Sequence, residues 1–499
     1  MKRAALVVLY ILAGGFAPCQ DGFIVQFDSV QAGYAAGGRS VFERNWGYLV
    51  FGHQVTNDGS GRTRCMAYRL GPAGGLLSRT EWDTSAWYDY NFGFADPIAL
   101  TTEGFASGVS RFNGTSDMIW LYSFDSNGEL LARDTVLYCC TTDSVDFGVR
   151  YSRATSDGGF VMTGYWDAAS TSAQCLLVKA DSNRHLEWWR TWGPDGLLYS
   201  GYGVEQYPDG GYVVTGIRLG SGLVDRSWLR RTDAEGNMIW DRAYGNFASN
   251  GESVRIGSDG SIFTWSEYQP DVQSDSKYVM LRKWTPGGAV VWEKQSHFWQ
   301  WARARDFELL EDGTIITTGG RSTFSFIAKF EIDGDSLWSR DLHAFSTWAT
   351  AELFDVTPTS DGGFVLTGNV IQADADPTPT LQTLWVVKTD SLGCVIPGCQ
   401  NTGVQEYVMD LQQRLRVSPN PANDLVSLAL DLPEGGEVQG QAQVQLLDAT
   451  GRVVLEHKVQ QNLNKLTATM DVSALPAGTY YLHLRDAKRW LAGSKVVVQ

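Results

Sequence analysis

A nine-residue phrase that recurs along the chain constrains its fold more than any other feature. It reads Ser-Asp-Gly-Gly-Phe-Val-Met-Thr-Gly at 156–164, returns at 208–216 and 360–368, and is weaker at 258–266 and 311–319. The equivalents of its last residue lie about 50 residues apart and are Gly52, Gly108, Gly164, Gly216, Ser266, Gly319 and Gly368. A period of this length indicates stacked supersecondary units, of which the chain carries seven.

Each unit reads as four short strands, named a to d in chain order. Asp-Gly turns between alternating apolar runs are hairpin signals, because such turns need a positive φ. A basic residue on strand c is followed nine positions later by tryptophan on strand d, as in Lys179 and Trp188 or Lys329 and Trp338. Before residue 400 no long apolar run has the helical period, so the sequence predicts little helix.

Seven four-stranded antiparallel units predict an all-β chain with a seven-bladed β-propeller. A β-solenoid or a pair of sandwiches is the alternative. Residues 24 to 400 resemble kelch-like propellers, with a hydrophobic strand ending in glycine, a variable loop, a strand ending in an Asp turn, and then Trp. Gly319-Gly320 reproduces the double glycine of that family. The resemblance implies topology only.

The seventh unit lacks an outer strand, because Asp390 is followed by a Cys-containing segment without the expected tryptophan. Phe23 to Phe27 is a spare strand-like run near the start of the chain. We expect this run to supply the missing strand and to close the ring.

Antiparallel order divides the connections between two faces of a propeller. The tight ab and cd turns share one face, here called the turn face, and the variable bc and da connections share the other, the loop face. The loop face carries aromatic residues that the repeat does not require, and their exposure would suit stacking on sugar rings or a protein partner. The predicted ligand-binding residues are Trp87, Tyr88, Tyr90, Trp166, Trp192, Tyr199, Tyr202, Trp299, Trp301 and Trp348.

Basic residues recur at one position of strand c and form a quasi-symmetric ring. They could form an anion site, but the favoured interpretation is a solvent-facing strand position beside a turn aspartate. The members are Lys179, Arg231, Lys283, Lys329 and Lys388.

Cysteines indicate disulfides in an exported chain, because six remain if Cys19 leaves with a signal peptide. Cys394 and Cys399 are expected to bridge each other after the last blade. Cys139 and Cys140 are expected to pair with Cys65 and Cys175, in an order that the sequence does not determine.

The repeat stops near Gly403, and the remaining pattern predicts a small Ig-like β-sandwich with Pro-Asn-Pro, Asp-x-x-Gly and Pro-x-Gly turns. Residues 412 to 499 resemble the C-terminal sorting domain of the type IX secretion system. That resemblance implies the translocon and sorting machinery as partners. It places Gly451, Arg452, Gly478, Tyr480 and Lys495 in the recognition region, although the two glycines and the tyrosine can equally serve turns and packing.

The N-terminus reads as a signal peptide, with Lys2 and Arg3 before a short apolar run from Ala4 to Ala13. The expected organisation is therefore a signal peptide at 1–19, a propeller at 21–400, a linker at 401–411 and the sorting domain at 412–499. The mature protein is expected to have no transmembrane segment and to be secreted or on the outer cell surface.

Neither charge nor motifs point to a cofactor or a reaction. A formal net charge of -16 disfavours nucleic acid as a partner. The chain shows no nucleophile elbow, phosphate-binding loop or zinc pattern, so no catalytic residue, metal ligand or cofactor is predicted. The sequence favours a non-catalytic binding or structural module that presents aromatic-rich loops to a glycan or protein. The alternative is a glycan-degrading hydrolase or lyase with carboxylates on the same face.

Overall fold

Seven antiparallel units follow one another from Phe23 to Thr389 and confirm the seven-bladed β-propeller. The fold is that of a computed structural model. It describes residues 22–27, 34–56, 63–82, 98–101, 104–112, 117–139, 146–167, 173–193, 197–219, 225–245, 251–269, 277–295, 302–321, 324–343, 349–372, 381–395, 399, 414–432, 441–448, 451–462, 465–486 and 490–499.

Six blades are formed by four strands that are consecutive in sequence. Blade 1 contains β2 (Tyr34–Arg44), β3 (Gly47–Thr56), β4 (Thr63–Leu70) and β5 (Leu76–Trp82). Blade 2 contains β6 (Ile98–Thr101), β7 (Gly104–Phe112), β8 (Asp117–Asp125) and β9 (Leu130–Cys139). Blade 3 contains β10 (Asp146–Ala154), β11 (Phe160–Asp167), β12 (Ala173–Ala180) and β13 (Leu186–Trp192).

The next three blades repeat this order. Blade 4 contains β14 (Leu198–Gln206), β15 (Tyr212–Leu219), β16 (Asp225–Thr232) and β17 (Met238–Tyr244). Blade 5 contains β18 (Gly251–Ile256), β19 (Ile262–Tyr268), β20 (Tyr278–Trp284) and β21 (Val290–Gln295). Blade 6 contains β22 (Ala302–Leu309), β23 (Thr314–Arg321), β24 (Phe324–Glu331) and β25 (Ser336–His343).

Blade 7 is assembled from both ends of the propeller. It contains β26 (Ala349–Pro358), β27 (Phe364–Gln372) and β28 (Leu381–Thr389), and its outer strand is β1 (Phe23–Phe27). β1 pairs antiparallel with β28, from Phe23 opposite Lys388 to Phe27 opposite Leu384. The expected ring-closing strand is therefore present, and it joins the first described residues of the chain to the last blade.

The aspartate of the repeated phrase joins a turn to the strand beside it. In blade 3, the Asp157 carboxylate accepts a hydrogen bond from the backbone N–H of Gly159 at 2.9 Å. It also forms an ion pair with Lys179 Nζ at 2.8 Å. The same pair recurs in blades 4 to 7 as Asp209–Arg231, Asp259–Lys283, Asp312–Lys329 and Asp361–Lys388.

The predicted solvent-facing position of these basic residues is wrong for several of them. Lys179, Arg231 and Lys388 are buried, the last completely. Their charge is nevertheless satisfied locally, because each reaches back to the turn aspartate and to a backbone carbonyl beside it. The ring of basic positions is thus part of the blade scaffold.

The tryptophans of strand d pack against the next blade. Trp240 of blade 4 donates its indole N–H to the Pro286 carbonyl in the cd turn of blade 5 at 3.1 Å. Trp82 of blade 1 donates to the Gly128 carbonyl of blade 2 at 3.2 Å. Each such contact ties the edge of one blade to a turn of its neighbour, so these tryptophans are explained by blade packing.

The final glycine of the phrase lies opposite a β-bulge in the innermost strand. Gly164 pairs with Val149, and the register then skips Arg150 before Tyr151 pairs with Thr163. A Cβ at Gly164 would collide with the carbonyl oxygen of Gly148. Glycine is therefore required because the bulge pushes backbone into the space that a side chain would occupy.

The C-terminal domain is a separate two-sheet sandwich with its own hydrophobic core. One sheet has the order β29 (Leu415–Ser418), β30 (Leu425–Asp431), β34 (Lys465–Asp471), β33 (Gln460–Asn462). The other has the order β32 (Val453–Lys458), β31 (Gln443–Leu447), β35 (Gly478–Arg485), β36 (Trp490–Val498). Alternate residues of both sheets, such as Leu428 and Leu482, form the core between them.

Candidate functional site

A central channel runs along the innermost strands of the propeller. β6, β10, β14, β18, β22, β26 and β2 lie side by side in this order, each against the next blade. Side chains of successive residues alternate between the blade interior and the channel. In β14, for example, Val204 is buried inside the blade and Glu205 lines the channel.

In six of the seven blades, a bulge adds one side chain to this channel at its loop-face end. In blades 3 to 7, the bulged residue lies fourteen positions before the residue that ends the repeated phrase. In blade 1 the separation is thirteen positions. We call these residues the bulge ring. Its members are Arg39, Arg150, Tyr202, Glu252, Arg305 and Phe354.

Members of the bulge ring contact one another from blade to blade. The guanidinium carbon of Arg39 lies 4.2 Å from the ring centroid of Phe354, and that of Arg305 lies 5.5 Å from the same ring. Arg305 also pairs with Glu252 at 3.4 Å. On the other side of the channel, Arg150 lies 4.8 Å from the ring centroid of Tyr202. The mouth thus brings cations into contact with aromatic rings and with a carboxylate.

Two further glutamates, Glu267 and Glu352, flank the bulge ring beside its own member Glu252. Glu352 bonds the Arg305 guanidinium at 2.6 Å, and Lys277 pairs with Glu267 at 3.5 Å. The pKa of Glu252 is raised to about 7. Burial is the main cause, the neighbouring glutamates raise the pKa further, and Arg305 lowers it. Burial likewise raises the pKa of Glu267. The loop-face mouth therefore carries protonatable carboxyl groups held beside fixed cations.

A second charged layer, the inner network, crosses the channel nearer the turn face. Arg255 pairs with both Asp306 and Glu308 at 2.7 Å. Arg153 of blade 3 pairs with Glu205 at 3.3 Å and with Glu308 of blade 6 at 3.6 Å. Burial raises the pKa of Glu205, whereas Glu308, despite its burial, has a lowered pKa because Arg255 and Arg153 stabilise its charge.

Four of the ten predicted loop-face aromatics lie among the described residues, and they occupy different environments. Trp166 stacks between Phe147 at 5.0 Å and Trp189 at 4.9 Å, along the contact of blades 2 and 3. Trp192 lies under the Arg230 guanidinium at 4.8 Å, and Tyr199 is buried against Trp228. Tyr202 alone belongs to the bulge ring. The predicted positions outside the described residues are Trp87, Tyr88, Tyr90, Trp299, Trp301 and Trp348.

The residues that sequence reasoning missed are the charged members of the bulge ring and the inner network. Arg150, Glu252 and Arg305 were hidden because their neighbours in sequence give no catalytic or binding motif. The sequence signal that could have identified them is their constant position, fourteen residues before the residue that ends the repeated phrase.

The cysteines follow the prediction only in part. Cys394 and Cys399 form the expected disulfide. Cys175 is a free thiol, so its expected bridge to Cys139 or Cys140 is wrong. Its side chain points into the hydrophobic contact between blades 3 and 4, where burial raises its pKa to about 12. Cys65 is buried between blades 1 and 2; the side chains of Cys139 and Cys140 lie outside the described residues.

The predicted sorting residues divide into structural and exposed positions. Gly451 has a φ of 79° in a turn closed by its N–H on the Asp448 carbonyl, and Tyr480 is buried with its hydroxyl donating to the Pro476 carbonyl at 2.7 Å. Gly478 is exposed at the start of β35, and the Arg452 and Lys495 side chains are exposed. Their recognition by a sorting machinery stays a prediction.

The Pro-Asn-Pro motif has a structural role that the pattern did not reveal. The Asn420 side chain donates to the Lys495 carbonyl at 2.8 Å and accepts from the Val497 N–H at 2.9 Å. It thereby fastens the beginning of the domain to its last strand.

The described residues contain neither a candidate metal site nor a membrane-spanning helix. Their His, Cys, Asp and Glu side chains include no group of three placed to hold a metal ion. Nor does any helix in the described ranges have the length and hydropathy needed to cross a bilayer.

Residues 416–499 match the secretion system C-terminal sorting domain, in agreement with the sequence pattern. The protein is accordingly exported by the type IX secretion system, whose machinery is its partner, and it is secreted or located on the outer cell surface. No curated protein matches the chain.

Solved structures with propeller-like similarity are distant. A Bacteroides caccae protein of unknown function has 11% identity and a TM-score of 0.28, covering 65% of this chain and 94% of that one. A puromycin hydrolase has 12% identity and a TM-score of 0.45, covering 79% of this chain but only 58% of its own. A Xanthomonas campestris gluconolactonase has 13% identity and a TM-score of 0.33, covering 59% and 85%. Likenesses at these scores carry no inference about function.

Proposed function

We propose that the protein is a non-catalytic binding module, which holds a glycan or a surface protein at the loop face of its propeller. The bulge ring carries this proposal. In six blades an irregularity of the innermost strand turns one additional side chain towards the loop-face end of the channel.

The chemistry of the bulge ring suits a polar ligand with flat or hydroxyl-bearing parts. Bulges commonly re-aim side chains at functional sites. Guanidinium groups donate several hydrogen bonds in a fixed geometry, and aromatic rings offer a face for stacking. Arg150 beside Tyr202 and Arg39 beside Phe354 place both kinds of group together on opposite parts of the mouth.

The pairing of the carboxylates favours binding over hydrolysis. Glu252 and Glu352 are both held by the Arg305 guanidinium, at 3.4 and 2.6 Å. A guanidinium fixed between two carboxylates offsets one of their two charges and lies in the space in which a glycosidic bond would be cleaved.

One observation favours the alternative, a glycan-degrading hydrolase or lyase. The pKa of Glu252 is raised to about 7, which is the range in which a carboxyl group can act as a general acid at neutral pH. The two functions separate in one experiment, because Glu252→Gln abolishes turnover of a bound glycan only if Glu252 is the acid.

The test is a screen of the exported full-length protein against a broad glycan array and against surface proteins, followed by reducing-end assays on every glycan that binds. We expect binding that saturates without release of products. An empty screen contradicts the binding function, and product release that is lost in Glu252→Gln replaces it with the hydrolase.

A further inference from the structure

We propose a second binding site at the opposite end of the channel, for a small polyhydroxylated amine of the amino-sugar class. The site lies at the turn face, between the ab turns and the inner network. It shares no residue with the bulge ring and does not depend on the loop-face function.

The turn-face end of the channel is a cavity of about 740 Å³. This volume lies within the usual range for small-molecule sites and suits one or two sugar rings. Its wall is formed by one side of the inner network together with Phe42, Tyr151 and Tyr207. Aromatic walls beside carboxylates are suited to a ring that has both apolar faces and hydroxyl edges.

Charge favours a cationic ligand in this cavity. Four carboxylates line it, Glu205, Asp306, Glu308 and Asp355, against the two guanidiniums of Arg153 and Arg255. Burial raises the pKa of Glu205 and of Asp306, as expected where nearby positive charge does not offset desolvation. An ammonium group on the ligand would supply that charge.

Three buried polar side-chain atoms of the lining have no hydrogen-bond partner among the described residues. Two of them are Oγ of Ser40, a residue only 3% exposed, and Nε of Arg255, a residue 5% exposed. The third, Nε of Arg153, still lies 3.3 Å from Glu205 in an ion pair. Buried polar groups in proteins are almost always paired. Hydroxyl groups of a bound sugar could accept from Arg255 and pair with Ser40, so the ligand completes bonds that the protein leaves open.

The test is calorimetric titration of the full-length protein with glucosamine and with N-acetylglucosamine, which has a similar ring but no charge. We expect glucosamine to bind at least about tenfold more tightly. Ser40→Ala should weaken glucosamine binding about three- to tenfold without loss of folding, because the hydroxyl makes no bond within the described protein. Glu205→Gln should weaken it by about tenfold.

The matched control is Ser182→Ala, which removes an exposed hydroxyl from a cd turn of blade 3. It should leave the affinity unchanged. The proposal is overturned if neither sugar binds, if both bind equally, or if Ser40→Ala binds glucosamine like the unaltered protein.

Discussion

The ion pair of blade 7 gives the sharpest test of the repeat chemistry. Lys388 is completely buried, and its Nζ contacts the two Asp361 carboxylate oxygens at 2.9 and 3.1 Å and the Thr389 carbonyl at 2.8 Å. Lys388→Met keeps an unbranched side chain that is one atom shorter, and it removes all three bonds. The Asp361 carboxylate, only 8% exposed, is left without its counter-charge.

Breaking a buried pair from one side costs about 3–5 kcal/mol, because the remaining charge stays desolvated. The equivalent pair of blade 5 is the matched control. There Lys283 is 18% exposed and Asp259 58% exposed, at a distance of 3.3 Å. Lys283→Met should cost only about 0–1 kcal/mol, as for an exposed pair.

The assay is equilibrium urea unfolding followed by tryptophan fluorescence, which reports the free energy of unfolding of each variant. The double variant Lys388→Met, Asp361→Asn should recover part of the loss. Its amide can still accept the bond from the Gly363 N–H, which the Asp361 carboxylate now receives at 2.9 Å, and no charge is left buried. Equal losses in blades 5 and 7 would refute the argument from burial.

Three further predictions concern the architecture. Deletion of residues 21–30 should sharply lower the melting temperature in a calorimetric scan, because blade 7 loses its outer strand; an unchanged melting temperature would contradict ring closure by β1. Gly164→Ala should lower the free energy of unfolding in urea by about 1–3 kcal/mol, because the new Cβ meets the Gly148 carbonyl oxygen at the bulge. Gly75→Ala should leave this free energy unchanged, because nothing lies within 4 Å of the Cβ that it adds. Equal effects would exclude the bulge as the reason. Burial raises the pKa of Asp157, but the bond from Lys179 and other hydrogen bonds bring it down to about 2. The contribution of this carboxylate to stability should therefore be complete above about pH 4 and disappear as the pH falls towards 2. In the same urea assay, Asp157→Asn should lose less stability over this pH range than the unaltered protein.

The architecture could be predicted because repetition multiplies a weak local signal. A single Asp-Gly turn fits many folds, but seven units of similar length fit few. The closing strand was also predictable, since the seventh unit lacked a tryptophan strand and Phe23 to Phe27 had no other assignment. The spacing of the turn residues predicts the sorting domain, and the family match over residues 416–499 confirms it.

The site could be predicted only in part, because it depends on register. Arg150 and Glu252 reach the channel mouth through a bulge, and a one-residue irregularity is not visible in an alternating pattern. The position of the loop-face aromatic residues predicts ligand contacts, yet Tyr199 is buried against Trp228. The same limit explains Cys175, whose thiol faces the interior by the parity of β12.

The central claim is that ligand binds at the bulge ring. Its most direct test is the dissociation constant of the full-length protein for the ligand found in the screen, compared with that of Tyr202→Ala. The matched control is Arg242→Gln, which alters an exposed position on the outer strand of blade 4. We predict that Tyr202→Ala weakens binding about fivefold to tenfold or more, as for loss of a stacking contact, while the control binds unchanged. Equal affinities for all three proteins would contradict the claim.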